Sequence, residues 1–133
     1  MKYPDPEPKV WKKNLSEVAG VQPAHLKEGC MDKFILGNVD LGGARTENLS
    51  LVHTTFPPGT SSGRHRHSSE ESFFILTGTG KAIVGGQEFD VKPYDIFYAP
   101  KFVDHNFINT GKDDLTLLAA FSLHKFSSEI LDE

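Results

Sequence analysis

From Gly59 onward the chain alternates short apolar runs with turn residues. The runs fall at 72–77, 81–84, 89–91, 96–99, 103–108 and 115–122, each long enough for one strand and too short for a helix of ordinary length. Gly85-Gly86 lies between two of them, and a pair of glycines at that spacing predicts a two-residue hairpin whose central positions take positive φ. Asn109 to Asp114 is polar, contains Gly111, and is long enough to reverse the chain between the last two runs. Upstream, residues 33–36 and 49–56 predict two further strands, the second stopped by Pro57-Pro58-Gly59. Residues 10–13 predict a short edge strand, and 15–21 a turn of helix or a loop ending at Gly20. Short strands at this spacing predict an all-β barrel or sandwich.

Composition narrows the reading. The 133 residues suit a single domain, expected over 9–133, preceded by an extended proline-rich arm at 1–8. Ten Phe, twelve Gly and eight Pro favour aromatic strands joined by turns over a helical bundle. The formal charge of −4, without a basic stripe, gives no electrostatic footprint for nucleic acid. No apolar run approaches the ~20 residues that span a bilayer, and the proline-rich, acidic start does not resemble a secretory signal. Cys30 is the only cysteine, so no intrachain disulfide is available. These features predict a cytoplasmic protein without membrane or nucleic-acid partners.

The candidate chemistry lies in two stretches. In a strand alternate side chains share a face, so His65 and His67 point the same way. Glu71 has the same parity four residues on, and a corner at Ser68-Ser69-Glu70 can carry its carboxylate back over the same cavity; Glu70 is the competing carboxylate. His105, on a later strand, adds a third imidazole. Imidazoles with one carboxylate suit a divalent transition ion (Fe, Mn, Ni, Co, Cu or Zn) better than Ca or Mg, which prefer shells made wholly of oxygen. His65, His67, Glu71 and His105 are therefore the predicted ligands of one such ion.

The residues Gly59, His65, His67, Glu71 and Gly78 reproduce the pattern G-x5-H-x-H-x3-E-x6-G, and here the sequence resembles the cupins. A second cupin pattern, G-x5-P-x-G-x2-H-x3-N, is met by Pro100, His105 and Asn109, with Tyr94 and Phe102 in place of its glycines. The resemblance runs from Gly59 to Asn109. It implies a single jelly-roll-like barrel, a double-stranded β-helix, with the metal at its centre and usually a homodimer. It does not imply one reaction, because cupins include dioxygenases, isomerases, epimerases, decarboxylases, lyases and non-enzymatic proteins.

The expected function is a metal-dependent enzyme acting on a small oxygen-rich substrate, with a dioxygenase first. Redox-neutral isomerase, decarboxylase or lyase chemistry, and a non-catalytic ligand-binding module, are the alternatives. The parity of Phe73, Ile75 and Phe107 makes them the expected apolar wall of the site; Phe74, Leu76 and Ile108 face the other way as a packing or dimer surface. Glu70 is expected to face outward near Arg64 or Arg66, and Asn109 to close a turn. His53 shares a face with Leu51 and Thr55, as a cavity acid–base group or a packed histidine; Tyr94 and Tyr98 are structural or offer a phenol to substrate. His25 and His124 fall outside both patterns, and Cys30 reads as a buried, inert thiol.

Overall fold

The computed structural model describes residues 2–6 and 10–131. Among these, ten strands form two antiparallel sheets: β1 (Met31–Leu36), β2 (Ser50–Phe56), β3 (His65–His67), β4 (Glu71–Thr77), β5 (Gly80–Val84), β6 (Gln87–Val91), β7 (Ile96–Ala99), β8 (His105–Ile108), β9 (Leu115–Phe121) and β10 (Ser128–Ile130). One sheet has the order β1-β2-β9-β4-β7 and the other β10-β3-β8-β5-β6. The chain crosses repeatedly between them, as a jelly roll does, so all-β is the fold class.

The sheets enclose a core built from alternate strand residues. Phe34, Phe56, Ile75, Phe107 and Leu115 are fully buried, with Phe73, Leu117, Ala119 and Phe121 around them. Strands β4, β8 and β9 each alternate buried with less buried positions, the period-two signature of a strand with one face on the core. At β4 and β8 this puts Phe73, Ile75 and Phe107 inside, while Phe74, Leu76 and Ile108 are only partly buried. Each large inward side chain contributes about 1.5–3 kcal/mol through removal from water.

Several predicted elements form with shifted ends. The Gly85-Gly86 turn joins β5 to β6, with φ of 57° and 80°. Asn109 closes its turn by donating to the carbonyls of Phe56 (2.7 Å) and Asp113 (2.8 Å) and accepting from the Gly111 amide. β1 starts earlier than the apolar run at 33–36 and so includes Asp32, an acidic residue that strand propensity disfavours.

The edge strand expected at 10–13 does not form. The backbone of Asp32, where such a strand could join β1, is occupied instead by Val21 through reciprocal bonds of 2.7 and 2.8 Å. Residues 15–21 contain one 3-10 turn, Leu15–Glu17, held by an Asn14 capping box. Of the expected arm at 1–8, residues 2–6 have no regular structure and the rest lie outside the described residues. No helix among the described residues is long and apolar enough to cross a membrane.

Candidate metal centre

Histidines enter the barrel interior from one sheet and carboxyls from the other. His65 on β3 is the cross-strand partner of His105 on β8, which brings their rings to 4.4 Å between centroids. His67 follows on the same face of β3, its ring 4.9 Å from His65 and 5.1 Å from His105. Glu71 begins β4 in the facing sheet, after a corner whose Ser69 hydroxyl accepts from the Ser122 amide and donates to the Glu70 carbonyl. All four side chains are buried.

Each imidazole is turned by a bond at Nδ1. His65 Nδ1 lies 2.9 Å from the Gly63 carbonyl and His105 Nδ1 3.3 Å from the Val103 carbonyl, acceptors that require N–H at that position. His67 Nδ1 meets the Ser128 hydroxyl at 2.8 Å. A proton on Nδ1 leaves Nε2 with a free lone pair, the form that binds a metal. His105 Nε2 and Glu71 Oε1 lie 3.4 Å apart, and His67 Nε2 is 3.7 Å from the same oxygen. Both His105 Nε2 and Glu71 Oε1 are buried without any hydrogen-bond partner. Two orphaned buried ligand atoms this close carry a desolvation cost that a shared cation removes, so these residues fit a metal ion.

Burial disfavours the charged form of each of these groups. It holds the pKa of His65 and His67 below the usual histidine range and lowers that of His105 to about 3, with neighbouring imidazoles adding to the last two. It also pushes the Glu71 carboxyl well up, with the charge of Asp32 adding to the rise.

Two residues that the sequence reading did not place in the site line the same chamber. Asp32 accepts from the Thr54 hydroxyl at 2.6 Å, and burial raises its pKa to about 7. Asp32 shares strand parity with the buried Phe34, but the strand expected at 33–36 begins two residues later than β1 and leaves it out. His25, in the loop before β1, is half-buried, with its ring 5.0 Å from His65 and 5.3 Å from His67. Burial lowers its pKa to about 3. No pattern in the sequence ties His25 to the β3 histidines, because a loop brings it there.

The ligand atoms form two overlapping triads. Those of His67, Glu71 and His105 lie within 4.8 Å of one another, as do those of His25, His65 and His67. The predicted quartet is thus brought together, divided between two groups that share His67. Free space in the chamber is about 30 Å³, bounded by Val52, Phe56, Phe73, Phe107 and Leu117. That is about the share of liquid volume occupied by one water. Phe73 and Phe107 are the apolar wall expected from parity; Ile75 is buried in the core without lining the chamber.

The remaining candidates lie elsewhere. Val52, Thr54 and Phe56 line the chamber, so His53, of opposite parity, points away from it as a packed histidine. Glu70 faces outward and accepts from Tyr98 at 3.0 Å, while Arg64 pairs with Asp104 and Arg66 with Glu129. Phe102 does not line the chamber but a separate surface groove beside Arg66. Tyr94 is exposed, and the Cys30 thiol is buried, donating to the Ser61 carbonyl at 3.3 Å.

Comparison with known proteins agrees with the geometry. The chain is 32% identical over 83 residues to a 5-nitrosalicylic acid 1,2-dioxygenase of Bradyrhizobium, covering 58% of this chain and 40% of that protein. It is 37% identical over 68 residues to an oxalate-binding protein of Thermotoga maritima, covering 50% of this chain and 56% of the other. It is 33% identical over 121 residues to auxin-binding protein T85 of Nicotiana tabacum, covering 83% and 62% respectively. The chain therefore spans less than two thirds of the length of each of these three relatives.

Among solved structures, a predicted oxalate decarboxylase from Thermotoga maritima superposes with a TM-score of 0.69 at 24% identity, over 83% of this chain and 96% of that one. A cupin-2 domain protein from Rhodospirillum rubrum gives 0.72 at 21% identity, over 96% and 84%. At these identities both establish the fold. The sequence profile of the cupin domain matches residues 52–121, just over half the chain and a span that includes all four predicted ligands, so the chain belongs to the cupin family.

Proposed function

We propose that His65, His67, Glu71 and His105 hold one divalent transition metal and that the site is that of an enzyme acting on a small oxygen-rich molecule, with dioxygenase chemistry first. The observation that carries the metal assignment is the buried pair His105 Nε2 and Glu71 Oε1, 3.4 Å apart and each without a hydrogen-bond partner. Three neutral imidazoles and a carboxylate suit Fe, Mn, Ni, Co, Cu or Zn. Such an ion supplies Lewis acidity toward substrate oxygens and, if redox-active, a route for dioxygen.

This chain's own residues do the rest. The Nδ1 bonds to Gly63, Val103 and Ser128 hold the imidazoles in ligand geometry. The phenyl rings of Phe56, Phe73 and Phe107 exclude bulk water from the chamber. Asp32, on the carboxyl side, can exchange a proton with a substrate hydroxyl near neutral pH. Dioxygenase chemistry is favoured by the relatives of that name, which include a 5-aminosalicylate 1,2-dioxygenase of Comamonas.

A second reading, a non-catalytic module that binds a small carboxylate, is favoured by the chamber's size. At about 30 Å³ it would have to widen several-fold for an aromatic ring, since a cavity that holds benzene measures roughly 150 Å³. Relatives named for binding include one for oxalate and one for auxin. Oxygen uptake by the metal-loaded protein with salicylates, β-diketones and enols separates the two readings, and redox-neutral isomerase, decarboxylase or lyase turnover would show as product without uptake. Elemental analysis of protein purified without added metal should find near one transition ion per chain. Full metal content in a His65→Ala, His67→Ala double variant would refute the site. A homodimer is part of this reading, and light scattering on the purified protein tests it.

A further inference from the structure

His25 reaches the chamber by a different route from the four proposed ligands. The loop that carries it is fixed at several points. Gln22 donates from its side chain to the carbonyls of Leu26 (3.3 Å) and Lys27 (2.8 Å) and accepts from the Gly29 amide. Leu26 N–H donates back to Pro23, and Lys27 N–H bonds the Ser62 carbonyl just ahead of β3. Val21, at the base of the loop, is bonded to Asp32 of β1. A loop tied to β1 and to the entry of β3 places its imidazole repeatably rather than by chance.

The placement matches a ligand's. A ligand atom of His25 lies within 4.8 Å of those of both His65 and His67. For bonds of ~2.1 Å, two nitrogens on one ion stand about 3.0–4.2 Å apart, so a separation bounded by 4.8 Å is of the order that ligands of one centre show. His25 also lines two spaces at once, the central chamber and a small outer pocket of about 70 Å³ bounded by Ala24, Lys27, Gly63 and Ile130. It stands between the chamber and the surface.

We propose that His25 is a further protein ligand of the same ion, delivered by the 22–30 loop at the mouth of the chamber. The inference rests on the metal site proposed above. His25 would then compete with a substrate that binds the same ion through two oxygens, and one protein ligand would have to yield to it. His25 is the one set on a loop.

The test loads the full chain with Cu(II) or Co(II) in wild type and in His25→Ala and His25→Gln, reading affinity by competition with a chelator. Pulsed electron paramagnetic resonance of the Cu(II) forms counts coordinated imidazoles through their remote nitrogens. The expected result is one imidazole fewer in both variants and affinity lower by about tenfold or more, with the metal-free melting curve of at least one variant unchanged. Wild-type affinity and imidazole count in either folded variant overturn the assignment of His25 and leave the four-ligand site standing. A wild type that binds neither ion overturns the site itself.

Discussion

The two walls of the chamber respond to burial in opposite senses and reach the same state. On the β3–β8 wall, removal from water lowers the pKa of His65, His67 and His105, so the imidazoles stay neutral. On the β1–β4 wall it raises those of Asp32 and Glu71, so the carboxyls favour their protonated forms. A divalent ion needs neutral imidazole and ionised carboxylate. The histidine wall is therefore already in ligand form, and only the carboxyl wall must release a proton when metal binds.

The largest expected effect breaks the histidine wall where both triads meet. His67→Ala removes the residue common to both and should weaken metal binding by about 1000-fold, ~4 kcal/mol, as read by chelator competition. Glu71→Gln should also weaken it, but with a second signature. Calorimetry in buffers of different ionisation enthalpy should find proton release on metal binding to the wild type and less of it in this variant. Equal release in both would remove the distinction between the walls.

On stability, the largest expected effect is the acid limb of the metal-free protein. Histidines with folded pKa values below the unfolded 6.5 contribute stability that is complete above pH 6.5 and is lost as the pH falls below it, because only the unfolded chain takes up the protons. For His25 and His105 the loss continues toward pH 3, at up to roughly 1.4 kcal/mol per pH unit for each. Against a total stability of about 5–15 kcal/mol, the fold should give way well before pH 3. Denaturant titrations from pH 7 to 4 of Asp32→Asn, which lacks the opposing contribution of that carboxyl, check this, and stability that holds flat or rises as the pH falls would contradict a buried, neutral histidine wall.

The carboxyl wall predicts the opposite limb. Asp32 has a folded pKa raised from 3.8 to about 7, so its contribution is complete below 3.8 and is lost as pH rises toward 7. Asp32→Asn keeps an acceptor for Thr54 and removes the ionisation. Without metal the variant should match wild type near pH 4 and exceed it at pH 8 by at most about 4 kcal/mol. A difference independent of pH would mean that the carboxyl ionises freely in the folded protein.

These walls were unequally legible in the sequence. His65, His67 and Glu71 share strand parity within seven residues, and local spacing was enough to bring them to one face. The antiparallel register that sets His105 against His65 follows from topology, which the cupin resemblance anticipated and parity alone did not. Asp32 escaped because an acidic residue at a strand end reads as a boundary, although its side chain faces Thr54 across the β1–β2 pair. His25 escaped because its position depends on tertiary anchoring of a loop through Gln22 and Ser62, which leaves no periodic trace. β10 escaped for a related reason: its three residues are exposed and polar or isolated, and only pairing with β3 makes them a strand.

The smallest effects test how the histidine wall is framed. Tyr94 and Phe102 occupy the positions where the second cupin pattern has glycine, and both hold the left-handed backbone a glycine would take, with φ of 74° and 68°. The turn shape is retained without its usual residue, at about 1–2 kcal/mol for each bulky side chain. Glycine at position 94 relieves that strain but restores about 0.5–1 kcal/mol of chain entropy lost on folding, so Tyr94→Gly should stabilise by up to ~1 kcal/mol. Tyr94→Ala, which keeps a Cβ, should give no such gain. Phe102→Gly should gain less than Tyr94→Gly, because the ring lies 5.0 Å from the Lys101 ammonium and 6.0 Å from the Arg66 guanidinium, contacts of about 0.5–1 kcal/mol at exposed sites. Neither change should alter metal affinity, since the Phe102 amide that donates to the His67 carbonyl at 3.1 Å is backbone and survives the substitution. Thermal melts of the four proteins, with Tyr94→Ala as the control, decide it: if alanine at 94 stabilises as much as glycine, the tyrosine ring and not the left-handed backbone is what costs stability there.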